Sequence, residues 1–276
     1  MFRLKSISIL FLFVVLFSAC NSKAREQKKA DEQLQKIENL IELNDYEAAK
    51  LLIDSIHIRF PRLVDKRRMA VALKDSMIRR ESSKFLNYAD SILPSKIQLL
   101  DSLQKNFRFE KDNEYQEFGN YVYKTQVTEQ NTNRNYLKCY VDENADIYLV
   151  SNVYGSKIEH HGIRIDMDDQ HVQTDSTETG EGTFHQFTNE GLYWESLTFK
   201  NETGNEISSF IANNAKSRLK VTLIGKKQIV YYIPDLDKKA ITESYKLWIV
   251  QKELKYLEQE KENAQIRIGR IGLKYQ

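Results

Sequence analysis

At 276 residues the chain is long enough for one large domain or two small ones. Its 41 Lys and Arg nearly balance 39 Asp and Glu, and the largest basic runs, Lys66-Arg67-Arg68 and Arg79-Arg80, are short. That distribution excludes the extended positive groove or face that nucleic-acid binding requires. The chain also lacks a Gly-x-Ser-x-Gly elbow, a His-Glu-x-x-His pair, a phosphate-cradling glycine loop and a Cys-x-x-Cys motif, so it offers none of these catalytic signatures.

The first twenty residues carry the clearest message. Arg3 and Lys5 give a basic start, Ile7 to Phe17 is apolar apart from Ser8, and Phe17-Ser-Ala-Cys20 follows. A basic start, an apolar core of about ten residues and small residues beyond it make a secretory signal too short to span a bilayer. Its ending on Ala19-Cys20 resembles the lipobox of bacterial lipoproteins, with Phe17 where that family usually has Leu. The resemblance implies cleavage before Cys20, a diacylglycerol on the Cys20 sulfur and a further acyl chain such as palmitate on the new amino terminus. Beyond these lipids no cofactor is expected.

Cleavage would remove Arg3 and Lys5, leaving 39 basic residues against the 39 acidic ones, a formal balance of zero. Two or three acyl chains hold a protein firmly, at about 0.8 kcal/mol per buried CH₂. The mature protein is therefore expected to be anchored to a membrane without spanning it. Asn21 stands where an Asp commonly retains lipoproteins at an inner membrane, so the same resemblance implies an outer membrane, with the exposed side left open. With Cys20 lipidated, Cys139 has no partner for a disulfide; it shares a face with Leu137 and Val141 and reads as a small buried hydrophobe.

After a tether over residues 20–25, helical character runs from 26 to about 110. Leu34, Ile37, Leu40 and Ile41 recur at helical spacing in a first segment, about Glu26 to Asn44. A second, Asp45 to Arg59, opens on Asp45 as N-cap, carries Ala48, Leu51 or Leu52, and Ile56 as its stripe, and closes before Phe60-Pro61. The run Asn44-Asp45-Tyr46-Glu47-Ala48-Ala49, with Leu52, Ile56 and Pro61, resembles the second helix of a tetratricopeptide repeat. That likeness implies that Tyr46 and Ala49 pack on the preceding helix. The family's Trp-Leu-Gly signature is absent, and no second copy follows at an offset of about 34 residues, so a single hairpin is expected and not an array. Two further segments, Val64 to Leu93 and Lys96 to Phe107, flank Pro94-Ser95, where one long rod is expected to kink or split.

Residues 111–235 read as sheet. Candidate strands are 119–126, 135–142, 146–154, 162–168, 171–174, 182–188, 191–200, 218–224 and 228–233, with a short helix at 206–215. Roughly seven to nine strands joined by close turns predict a mostly antiparallel sheet or a sandwich. A long helix then occupies 237 to about 264 within the last region, 236–276. Leu247, Val250, Leu254 and Leu257 form its stripe; two heptads are fewer than a coiled coil needs, which favours packing within the chain over dimerisation. The fold class expected is α+β: helical hairpins or bundle, antiparallel β domain, closing helix.

Four places could hold chemistry. His160 and His161, with Asp166, Asp168 and His171, combine ligand types suited to a divalent transition metal, although the same residues make an ordinary wet strand face and turn. The loop Asp175-Ser-Thr-Glu178-Thr-Gly-Glu181-Gly182 has oxygen ligands but not the EF-hand spacing, so a solvated hairpin is expected. Glu195 beside Trp194, with Glu159 or Asp166 elsewhere, could form a carboxylate pair on a sugar, a chemistry that needs two acids held a fixed distance apart. Tyr136, Tyr140, Tyr148 and Tyr154 fall opposite the Leu137/Cys139/Val141 and Ile147/Leu149/Val153 faces, so they line either a binding face or the surface on which helices pack. A sheet needs cover, which favours packing. The reading that follows is a lipid-anchored envelope protein serving as a non-catalytic binding or scaffold module, with an envelope protein as candidate partner. The alternatives are a metal-assisted enzyme built on residues 160–171 and a carrier of an apolar ligand.

Overall fold

The computed structural model describes residues 3–174 and 182–275, and the side chains of these apart from 3–22, 182 and 201. It divides into two compact units, residues 1–91 with 259–276, and residues 92–258. These boundaries fall inside helices and not at the changes of sequence character near 110 and 236.

In the first unit, helix α1 (Arg3–Glu42) turns into α2 (Tyr46–Arg59). The turn is local chemistry. Asn44 takes φ 61°, its N–H bonds the Ile41 carbonyl, and the Asp45 N–H reaches back to Leu40. This pattern closes a helix on a left-handed residue, a role that Asn tolerates. Asp45 then caps α2 by accepting from the Ala48 N–H at 3.2 Å. The hairpin buries Leu34, Ile37 and Ile41 against Ala49, Ile53 and Ile56, while Leu51 is exposed. Tyr46 and Leu52 pack at the margin of this cluster. Helix α3 (Val64–Gln104) runs unbroken through Pro94. On either side of the proline, the Ser91 and Ser95 hydroxyls donate to the Tyr88 and Ile92 carbonyls at 2.7 and 2.8 Å. Near the end of α5 (Asp235–Lys274), Tyr275 donates to Asp75 at 2.7 Å and Lys261 pairs with Asp90 at 2.6 Å. Cys20 lies within the backbone span of α1, and its side chain is outside the described residues. Among the described residues no helix is long and apolar enough to cross a membrane.

Among the described residues the second unit has ten strands: β1 (Phe107–Glu110), β2 (Asn120–Tyr123), β3 (Tyr136–Asp142), β4 (Ile147–Tyr154), β5 (Gly162–Met167), β6 (Gln170–Gln173), β7 (Gly182–Asn189), β8 (Leu192–Phe199), β9 (Lys220–Ile224) and β10 (Ile229–Tyr232). They form a six-stranded sheet in the order β1-β2-β3-β4-β8-β7 and a four-stranded sheet in the order β10-β9-β5-β6, with every pairing antiparallel. The protein is therefore α+β. The strand absent from the sequence reading is β1, whose apolar pair, Phe107 and Phe109, is too short to separate from a helix end by periodicity.

Alternation sets the core. Leu137, Cys139 and Val141 on β3 and Ile147, Leu149 and Val153 on β4 all point inward. They meet Ile163 and Ile165 of β5 and Val221 and Leu223 of β9, so both sheets share one apolar cluster. Helix α4 (Asn201–Asn213) adds Ile207 and Ile211, and α5 adds Ala240, Ile241 and Leu247. Burial pushes the Cys139 thiol up to about 12, so it is protonated at neutral pH and is not a nucleophile. Where β2 stops short, the Gln126 side chain continues the ladder. Its amide donates to the Leu137 carbonyl at 2.7 Å and accepts from the Cys139 N–H at 3.0 Å.

Candidate functional site: an aromatic cleft on the outer sheet face

The residues between the core positions point to the other face of the larger sheet. Register places Tyr136 opposite Asn152, Lys138 opposite Val150 and Tyr140 opposite Tyr148. It also places Tyr154 opposite Trp194, and Trp194 in turn opposite Phe187. All four tyrosines singled out from the sequence thus share one face. The expectation that helices cover that face does not hold. Helices α4 and α5 join the inner cluster, because the aliphatic face gains more from leaving water.

The outer face forms a cleft of about 390 Å³, within the range of small-ligand pockets. Tyr136, Tyr140 and Val150 make its floor, and Trp194 and Phe187 make a wall. Tyr140 and Tyr148 stack at 4.8 Å with 8° between planes, and Phe187 and Trp194 stack at 4.9 Å with 5°. Tyr154 lies against the other side of Trp194 at 5.5 Å. The facing rim comes from the segment before β3, where the Thr132 carbonyl accepts from the Trp194 indole at 2.6 Å. Arg134 is locked by a bidentate pair with Asp237 (2.6 and 2.7 Å) and lies over the Tyr136 ring at 4.7 Å.

Desolvation raises the Tyr136 and Tyr140 phenols to about 12, so both are neutral hydrogen-bonding groups. Desolvation also holds the Lys138 ammonium below its usual value. The Ser196 hydroxyl and the Asn189 amide line the cleft and have no hydrogen-bond partner among the described residues. Trp194, Phe187, Lys138 and Asn152 were not legible as cleft residues, because their meeting depends on register between strands.

The inner face carries a second arrangement, one that no motif or spacing in the chain foreshadows. Ser151 Oγ lies 2.6 Å from His160 Nε2, and His160 Nδ1 lies 2.9 Å from Glu195 Oε2. Glu195 also accepts the N–H groups of Ile158 (2.8 Å), Glu159 (2.7 Å) and His160 (3.1 Å). Glu159 sits at φ 49°, so three successive N–H groups converge on the carboxylate as an anion nest. These bonds hold the Glu195 carboxyl below its usual range despite its burial. The ionised carboxylate fixes the proton on Nδ1 and leaves Nε2 to accept from Ser151. The order serine, histidine, carboxylate matches a nucleophile relay. Here, however, Ser151 and the His160 and Glu195 side chains are fully buried, so no substrate reaches the hydroxyl. The arrangement braces the crossover between the two sheets. From the other side, the Ile224 carbonyl accepts from His161 N–H and the Ile158 carbonyl accepts from Lys226 N–H, each at 2.8 Å. Gly225 is required there, since a Cβ would stand 2.4 Å from the Ile158 carbonyl oxygen.

The proposed metal ligands are not gathered. His160 is turned to Glu195, and Asp166 is engaged by Arg164 (2.7 Å) and Lys220 (3.3 Å). His171 faces Asp166 in register but is exposed, while Asp168 occupies the β5–β6 turn at φ 48°. His161 lies before β5 and is half-buried. Among the described residues no group of three or more His, Cys, Asp or Glu could hold a metal ion. The acidic loop with Asp175, Glu178 and Glu181 lies outside the described residues. Glu195 does not pair with Glu159 or Asp166 as two acids across a sugar. Strand alternation turns it away from Trp194 into the core, and Glu159 pairs with Lys157 and Lys226. No protein-family model matches the chain, and neither does any curated protein or solved structure.

Proposed function

We propose that this protein is a lipoprotein, anchored through Cys20 to an outer membrane, whose second unit binds a small envelope ligand in the aromatic cleft. The cleft carries this reading: four aromatic side chains and two polar groups without a partner among the described residues line one concave surface, a combination typical of ligand pockets. The nearest constellation to a catalytic one is sealed in the core, which favours binding over chemistry. The lipobox-like ending on Ala19-Cys20 supports the anchor.

Two measurements test the two halves. A benzophenone-bearing phenylalanine analogue at position 187, which keeps an aromatic ring at the mouth of the cleft, should yield an adduct in native envelopes. The same residue at position 230, on the exposed side of β10, should not. No adduct at 187, or equal adducts at both positions, sinks the binding reading. Metabolic labelling with a fatty-acid probe should mark the wild type and leave Cys20→Ala unlabelled; labelling of the variant refutes the anchor.

A further inference from the structure

We infer that the cleft takes an acidic saccharide, with Lys138 as its anion anchor; this rests on the binding reading above. The charge balance of the cleft is the first argument. Arg134 is already neutralised by Asp237, but among the described residues no carboxylate pairs with Lys138. Its Nζ donates to the Thr128 hydroxyl at 3.2 Å and lies 5.9 Å from the Tyr140 ring centre. Glu129 and Glu110 act on it only at longer range, and both are paired with Arg108, at 2.7 and 3.0 Å. Glu195, which also borders the cleft, directs its carboxylate to the other face of the sheet. The result is a cation held partly out of water in an aromatic pocket, with no counter-charge of its own among the described residues. An anion seated there would restore the stability that desolvation removes from the ammonium.

The neutral groups indicate the body of the ligand. The Asn189 amide offers a donor and an acceptor, the Ser196 hydroxyl offers both, and the Asn152 side-chain oxygen has no partner among the described residues. Adjacent hydroxyls of a sugar present the same alternation of donor and acceptor. Phe187, 60% exposed at the mouth, offers a ring face to the C–H side of a pyranose. A long peptide would instead pair its backbone with a free strand edge; the floor of this cleft is formed by β3, β4 and β8, which lie inside the sheet, and where β2 stops short the Leu137 carbonyl and Cys139 N–H of β3 are taken by Gln126.

The test uses the full-length protein in detergent with three probes: trigalacturonate, galactotriose and triglutamate. Trp194 and Trp248 are the only tryptophans, so Trp248→Phe leaves the cleft indole as sole fluorophore. Calorimetric titration of the unaltered chain covers the case in which that variant folds poorly. Trigalacturonate should shift Trp194 emission and bind roughly tenfold more tightly than galactotriose, the scale of one charge-assisted hydrogen bond. Lys138→Met should abolish that preference while weak binding of both sugars persists. Equal binding of the two trisaccharides overturns the anion anchor. Triglutamate binding as tightly as trigalacturonate overturns the saccharide, and so does binding of no probe. If position 187 still forms its envelope adduct, only this inference falls; without the adduct, the binding reading falls with it.

Discussion

The two faces of the larger sheet handle polar groups in opposite ways. On the inner face, Glu195 receives four donors and His160 uses both ring nitrogens. On the outer face, Ser196 and Asn189 have no partner among the described residues, and Lys138 has only a hydroxyl. A buried polar group left unpaired costs stability, so the inner network has to be complete to exist at all. A group at a cleft can be left open, because water serves it until a ligand arrives. A relay-like geometry is therefore a poor sign of function when it is saturated and sealed.

The largest effect should follow from breaking the inner network. Glu195→Ala would strand three backbone N–H groups and the His160 ring in the core, and should lower unfolding stability by about 3–5 kcal/mol in urea denaturation. Ser151→Ala removes only one hydroxyl bond and should cost about 1 kcal/mol. Equal costs for the two variants, or a silent Glu195→Ala, would contradict the assignment of the carboxylate as the brace.

Acid should weaken the same brace progressively. The folded state holds Glu195 below its usual value of 4.5, so its contribution is complete above that pH and is lost as pH falls through the folded value. Burial lowers His160 from 6.5, since the core favours its neutral form. The unfolded chain therefore takes up that proton first as pH drops below 6.5, which again disfavours the fold. Both signs agree: stability should decline from about pH 6.5 downward, and His160→Gln should flatten the upper part of that decline. A profile that rises on acidification would mean the pair is charged and attractive in the core.

Much of this architecture is readable from the chain, because alternation and turn residues act locally. Leu137, Cys139 and Val141 against Tyr136, Lys138 and Tyr140 already divide β3 into two faces. Asn44 with Asp45 likewise marks the α1–α2 turn. What pattern cannot supply is pairing between distant segments. Ser151, His160 and Glu195 meet only because β4 pairs with β8 and the crossover folds back, so His160 looked like a metal ligand beside His161. Pro94 differs for a related reason: a proline marks a break on local grounds, yet α3 is not split there and continues through it.

The smallest effect on stability should come from the outer face. Phe187 stacks on Trp194 but is 60% exposed, and β7 lies at the sheet edge. Truncation to Ala removes little buried area, so Phe187→Ala should shift stability by no more than about 0.5 kcal/mol. Ligand binding should suffer far more, because the ring forms one wall of the cleft's mouth. Urea denaturation and saccharide titration on the same variant separate the two quantities. A large stability loss with unchanged binding would make Phe187 part of the packing and would return the aromatic face to a structural role. Intact stability with lost binding would leave the two faces as different in function as they are in polar pairing.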